Sequence, residues 1–280
     1  MNRGSTELDR ITDAGFRARY VDVPDTVAAW VPPHIELGQA DVLDFGCGEG
    51  VAALGMLRRK GVRSLLGVDI MPDPARCLPV AREQIGLDVL PDNLELQQIE
   101  PGADFAPGRQ FDLIYSWSVF EHVEQPRVVD VLAMLRGKLK PGGRLFIQID
   151  PLYYSADGSH LYHRIPEPWA HLRDQESVYY DKLCRACDSP EEVAALWSCY
   201  QWLNKMTAAQ LREHLQEVGF VIEREHFSKF PEDVPADLIR VYQRNVLEAK
   251  QLVYLARVAD HSPGMPGASV ARRLLRKFRA

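Results

Sequence analysis

Asp44, Gly46, Gly48 and Gly50 fall at every second position of the stretch DFGCGEG, and Asp69 ends the next apolar run. These residue types suit a nucleotide-like ligand. Glycines let the backbone approach it with no Cβ in the way, and the free N–H groups of a helix's first turn face it. An acid about twenty residues past the turn is placed to accept hydrogen bonds from two ribose hydroxyls. A dinucleotide-binding turn reads G-x-G-x-x-G, which puts its third glycine at Val51, so the D-x-G-x-G-x-G spacing is of another kind. A second set of candidates follows further along the chain. His122, His160 and His163 are imidazoles able to act as general bases near neutral pH, and Tyr153, Tyr154 and Ser159 shortly precede the latter two in sequence. His160, His163, Cys184 and Cys187 also form an H-x-x-H…C-x-x-C arrangement of the kind that supplies zinc. The histidines already have a substrate-side reading and C-x-x-C recurs along helices, so no metal is expected.

The elements that must position these residues can be read from the pattern. Val42-Leu43 and Leu65–Val68 are apolar runs flanking a helix-forming stretch that ends at Gly61, which makes one βαβ unit. A helix is expected over Ala75–Gly86, a strand over Asn93–Gln98, and a buried strand at Phe111–Ile114 with Tyr115–Ser118 at its carboxyl end. Helical periodicity runs from Val128 to Leu139 and is stopped by Lys140-Pro141-Gly142-Gly143, before a fifth strand over Arg144–Ile149. Thr207-Ala208-Ala209-Gln210 is a capping box opening a helix that Gly219 ends. A strand over Phe220–Phe227, a helix over Ala236–Lys250 and a strand over Leu252–Val258 complete the pattern, a helix through 252–258 being the competing reading.

This arrangement resembles the class I S-adenosylmethionine-dependent methyltransferases. The resemblance rests on the D-x-G-x-G-x-G turn with its following acid, on FDLIYSWSVFEHV at 111–123, on LKPGGRLFIQI, and on the ending from 207. It implies a doubly wound α/β fold with a seven-stranded Rossmann-like sheet and an insertion after the fifth strand. It also implies S-adenosyl-L-methionine as cofactor, held by Asp44, Gly46, Cys47, Gly48, Gly50, Asp69 and Ile70. Glu100 falls at the family's adenine-binding acid, although Ile99 and Pro101 replace the usual neighbours. Ser116 and Trp117 match positions whose backbone carbonyls hold the methionine amino group. Glu121-His122 matches a pair common in the small-molecule branch, including the ubiquinone-pathway enzymes; His122 is either a base or a helix-start residue that packs locally. Segment 116–119 lacks the Asn-Pro-Pro-Tyr type motif of amino-group methylases, which shifts the expectation to an oxygen of a small molecule or glycan. A nitrogen or carbon acceptor, or a binding module without catalysis, remains an alternative.

Four parts are expected: a preamble or lid at 1–40, a core at 41–150 and 206–260, a substrate-side insertion at 151–205, and a basic tail at 261–280. In the preamble, Arg17, Tyr20 and Trp30 either close over the cofactor or cover the sheet edge. The insertion holds six of the ten tyrosines, three of the five tryptophans and no phenylalanine. Aromatics with a polar handle suit an acceptor pocket or a small satellite core. The 280 residues, 46% hydrophobic, can bury a sizeable core, and five irregularly spaced cysteines suggest no disulfide framework. The polar N-terminus is not a secretory signal and no run reaches membrane-spanning length, so a cytoplasmic enzyme is expected. A net charge of −6 argues against nucleic acid as partner. Residues 270–280 carry a basic amphipathic pattern, read either as a weak membrane-surface contact or as a solvated tail.

Overall fold

A seven-stranded sheet in the order β3-β2-β1-β4-β5-β7-β6 carries the molecule. The strands are β1 (Asp41–Phe45), β2 (Ser64–Asp69), β3 (Leu94–Gln98), β4 (Phe111–Trp117), β5 (Leu139–Ile149), β6 (Phe220–Lys229) and β7 (Ala249–Val258). The first five pair in parallel, and β7 runs antiparallel between β5 and β6. The computed structural model describes residues 7–260, so the tail and its expected membrane-surface contact lie outside the described residues.

Central parallel strands are covered on both faces, which is why their sequences are continuous apolar runs. Side chains alternate between two cores. Val42, Leu65, Leu113 and Phe146 face one, and Leu43, Leu66, Ile114, Leu145 and Ile147 the other. The helices on these faces include α1 (Ala14–Arg17) and α2 (Val23–Trp30), joined by a π turn over Ala18–Asp22, and α3 (Val51–Lys60) after the glycine turn. Helix α4 (Cys77–Ile85) links β2 to β3, and α5 (Gln125–Gly137) links β4 to β5. Tyr20 and Trp30 cover the core: Tyr20 is 1% exposed and Trp30 meets Phe146 edge-on, ring centroids 5.8 Å apart. Arg17 is exposed.

Two elements differ most from expectation. Strand β5 starts at Leu139, paired with Phe111, and the ladder resumes at Leu113–Arg144; Lys140–Gly143 is thus bulged out of a strand and does not precede one. The helix expected over Ala236–Lys250 is two short helices, α10 (Ala236–Ile239) and α11 (Arg244–Glu248), numbered after those below, because pairing of Ala249 with Lys229 draws the chain into β7. The competing helix through 252–258 is absent for the same reason. Between β5 and β6 lie α6 (Ala170–Arg173), α7 (Glu176–Ala186), α8 (Pro190–Gln201) and α9 (Ala208–Glu217), the last opened by the expected capping box, with the Gln210 amide donating to Thr207 Oγ1 at 3.2 Å. Among the described residues no helix is long and apolar enough to cross a membrane.

Candidate active site

The glycine turn leaves β1 and is fixed to β2 by two hydrogen bonds, from the amides of Gly46 and Cys47 to the Val68 carbonyl at 2.8 and 3.0 Å. Gly48 donates its N–H to one Asp69 oxygen at 2.7 Å, and Met71 donates to the other at 2.9 Å. Asp69 is therefore oriented before any ligand arrives. Gly48 has φ +52° and open space where a Cβ would stand, whereas a Cβ at Gly46 or Gly50 would meet Val119 or Leu96. Of the three, Gly48 alone leaves room for a ligand to approach the backbone. Ile70 and Met71 expose apolar side chains beside Asp69, 45% and 54% respectively. Ile99 donates to the Asp69 carbonyl at 2.8 Å, which brings the exposed Glu100 to the neighbouring strand end.

Asp44 is buried beneath the turn and accepts a 2.8 Å hydrogen bond from the Tyr115 hydroxyl. Burial pushes its carboxyl up to about 7, and the nearby Asp69 carboxylate adds to the rise. Burial likewise raises the Cys47 thiol, so this cysteine packs without being reactive. The buried Ser116 hydroxyl has no partner, an orphan at the end of β4. Changing Tyr115 to Phe removes the single donor to Asp44. The expected cost is about 1–3 kcal/mol in chemical denaturation, the price of an unsatisfied buried acceptor, and no measurable loss would count against this contact.

After β4 the chain turns sharply. Ser118 takes φ +53°, and its amide and hydroxyl both donate to the Gln148 side-chain oxygen at 3.1 Å. Glu121 is 4% exposed, with neither carboxylate oxygen partnered, and burial pushes it up to about 8. His122 packs its ring edge-on to His160 with centroids 5.2 Å apart. Burial lowers His122 to about 4, and His160 assists; burial lowers His160 too. His160 itself has φ +62°, uncommon for a residue with a side chain and held here by its surroundings.

The structure thus joins His122 to His160 and leaves His163 exposed. Ser159 is buried and accepts the Leu161 amide at 3.1 Å. Tyr153 is 8% exposed, its hydroxyl 3.3 Å from that of Tyr200, and its carbonyl lies 2.7 Å from His171 Nε2. With Leu161, Tyr179, Leu183 and Val193 these residues make a satellite core. Tyr154 is half-buried between Tyr153 and Tyr242. Cys184 is exposed on α7, and among the described residues no group of three or more His, Cys, Asp or Glu is disposed to hold a metal ion. Trp117 stacks on Phe146, centroids 6.1 Å apart.

Sequence reasoning missed three contributors. Glu49, between Gly48 and Gly50, pairs with Arg19 at 3.1 Å and Arg76 at 3.0 Å. Gln148 and Asn204 brace the turn after β4. Only the position of Glu49 inside the glycine motif could have drawn attention to it.

A methyltransferase domain model matches residues 17–225, and the chain belongs to that family. It is a class I S-adenosylmethionine-dependent methyltransferase, with S-adenosylmethionine as cofactor. The chain is 28% identical over 187 residues to a ubiquinone biosynthesis O-methyltransferase of Acinetobacter baylyi, covering 56% of this chain and 74% of that protein. A mitochondrial ubiquinone biosynthesis O-methyltransferase of Schizosaccharomyces pombe is 37% identical over 107 residues, 38% of this chain and 36% of that one. A tRNA U34 carboxymethyltransferase of Pseudoalteromonas translucida is 34% identical over 118 residues, 41% of this chain and 34% of its own length. Apart from the Acinetobacter protein, the match spans half or less of these relatives' length. Among solved structures, magnesium protoporphyrin IX methyltransferase from Synechocystis with bound S-adenosylhomocysteine superposes with a TM-score of 0.51 at 15% identity, covering 88% of this chain and 85% of that one. That likeness is one of fold.

Proposed function

We propose that the enzyme transfers the methyl group of S-adenosylmethionine to an oxygen of a small molecule. The observation that carries this reading is the edge-on His122–His160 pair, set where the turn after β4 meets the segment leaving β5. Support also comes from relatives named as ubiquinone biosynthesis O-methyltransferases. No relative quoted above is named for a glycan acceptor.

The residues present fit the cofactor. Gly48 has an open face, its amide orients Asp69, and the Ser116 hydroxyl in β4 is buried without a partner. Asp44, buried with a single hydroxyl partner, suits a cationic amino group nearby. In this reading Asp44, Gly46, Cys47, Gly48, Gly50, Asp69, Ile70, Glu100, Ser116 and Trp117 hold the cofactor, which supplies a methyl on a positively charged sulfur with a neutral leaving group. Alignment of the acceptor then accounts for most of the rate. Above about pH 4 the His122 ring is unprotonated, the form that can take a proton from an attacking hydroxyl. Its burial also makes it a weak base, which limits what base catalysis adds. His160 orients it. Tyr154, half-buried, is the aromatic side chain best placed to touch an acceptor, whereas Tyr153 and Ser159 are buried and His163 is exposed.

A labelled-methyl assay over small phenols, alcohols, carboxylic acids and amines tests the reading. Label in ether or ester linkages is the expected result, and label confined to amines or carbon would sink it. His122→Gln should then lower kcat by roughly 10²-fold with cofactor affinity unchanged. A full-rate His122→Gln enzyme would remove the base while leaving methyl transfer intact.

A further inference from the structure

Asn204 stands at the last turn of the chain before α9, about eighty residues from the segment after β4 that it touches. Its side-chain amide donates to the Phe120 carbonyl at 2.6 Å and the Val123 carbonyl at 2.8 Å. Two carbonyls can only accept, so the amide nitrogen must point there. Its backbone N–H donates to the Glu121 carbonyl at 2.8 Å. Its side-chain oxygen accepts the Met206 amide at 2.9 Å, and its carbonyl accepts from Gln125 Nε2 at 2.5 Å. One residue thereby satisfies the backbone of Phe120, Glu121 and Val123, the residues that bracket His122.

Phe120 anchors the turn in the core, at 0% exposure and with its ring centroid 6.3 Å from that of Phe45, and few other polar contacts hold the backbone around it. Within the turn the His122 amide donates to the Val119 carbonyl at 2.9 Å, and the His160 ring meets that of His122 edge-on. His160 comes from the start of the insertion and Asn204 from its end. Both ends of the 151–205 segment therefore close on the same five-residue turn.

We propose that Asn204 is a positioning residue for methyl transfer, a clamp that fixes the Val119–Val123 turn and so holds the His122 ring against His160. The inference rests on the reading of His122 given above. It makes presentation of that ring depend on the fold of the insertion, through hydrogen bonds that an aspartate of the same shape cannot replace, because two of them need donors.

Histidine side-chain NMR on the full chain tests this without an acceptor. Signals are assigned with His122→Gln and His160→Gln. The titratable groups around the ring are His160, Glu121 in the same turn, and beyond them Asp150 and Asp157. In the unaltered protein the His122 signal should stay neutral to below pH 5. In Asn204→Ala, and equally in Asn204→Asp, it should titrate at least one pH unit higher, with far-UV circular dichroism retained. Wild-type titration in both variants overturns the proposal, as does wild-type behaviour of Asn204→Asp alone, which would reduce the role to the Met206 contact. Amide exchange of the unaltered protein is the check that needs no variant. The His122 and Asn204 amides should be protected to within about threefold of each other, and a separation beyond tenfold rules out a shared clamp. A failed His122→Gln kinetic test would leave these signals unmoved, so the two readings fail separately.

Discussion

Gly48→Val should weaken S-adenosylmethionine binding by about 100-fold or more while the protein still folds. Valine places two methyl groups in the open space that the turn keeps at Gly48. It must also adopt φ +52°, which costs roughly 1–2 kcal/mol for an L-residue. Because nothing lies within 4 Å of the new Cβ, that strain is the main loss to stability. Isothermal titration of S-adenosylmethionine and S-adenosylhomocysteine, beside thermal melts, separates the two effects. An affinity within tenfold of the unaltered enzyme would refute the placement of the ligand at this glycine. Gly46→Ala is a poor substitute for this experiment, since its Cβ meets Val119 and would report on packing.

The second large effect is on stability. Glu121→Gln should stabilise the protein increasingly as pH rises from 4.5 to about 8. In that window the unfolded chain carries an ionised carboxylate, while burial keeps the folded carboxyl protonated. A group whose folded value is raised contributes its full stability below the unfolded value and loses it as pH rises through the folded one. Glutamine never ionises, so the variant escapes that loss. At 1.36 kcal/mol per pH unit the difference should approach about 5 kcal/mol by pH 8.5, less whatever relaxation or water entry recovers. Asp44 behaves in the same sense, raised to about 7, but it is common to both proteins and cancels. Denaturant melts at pH 5 and pH 8.5 decide the matter: a pH-independent difference between the two proteins would mean that Glu121 finds a partner when ionised.

Much of this molecule could be read from its residues, for identifiable reasons. Strands β1, β2 and β4 sit inside a two-faced core, so their apolar runs needed no partner to be recognised. The glycine turn and the Thr207 capping box are local devices, each written within a few consecutive residues. What failed was long-range. No glycine or proline marks the break between Ile239 and Arg244, and the ladder with β6, not a local signal, ends the second helix before Ala249. The tyrosines of the insertion were expected to keep polar handles for an acceptor or a satellite core. Tyr153 and Tyr200 satisfy each other across 47 residues. Likewise, Glu121 reads as half of a Glu-His pair, while its burial depends on the end of the insertion folding back over it.

The satellite core around Tyr179 and Leu183 shares none of its buried side chains with the two cores that flank the sheet. Selection can therefore rewrite one without disturbing the other. Exchanging segment 161–200 between relatives, with His160 and Asn204 kept as fixed seams, is a graft that leaves the glycine turn untouched. If the insertion faces the acceptor as proposed, lineages of this enzyme diversify in what they methylate while inheriting an unchanged hold on the methyl donor.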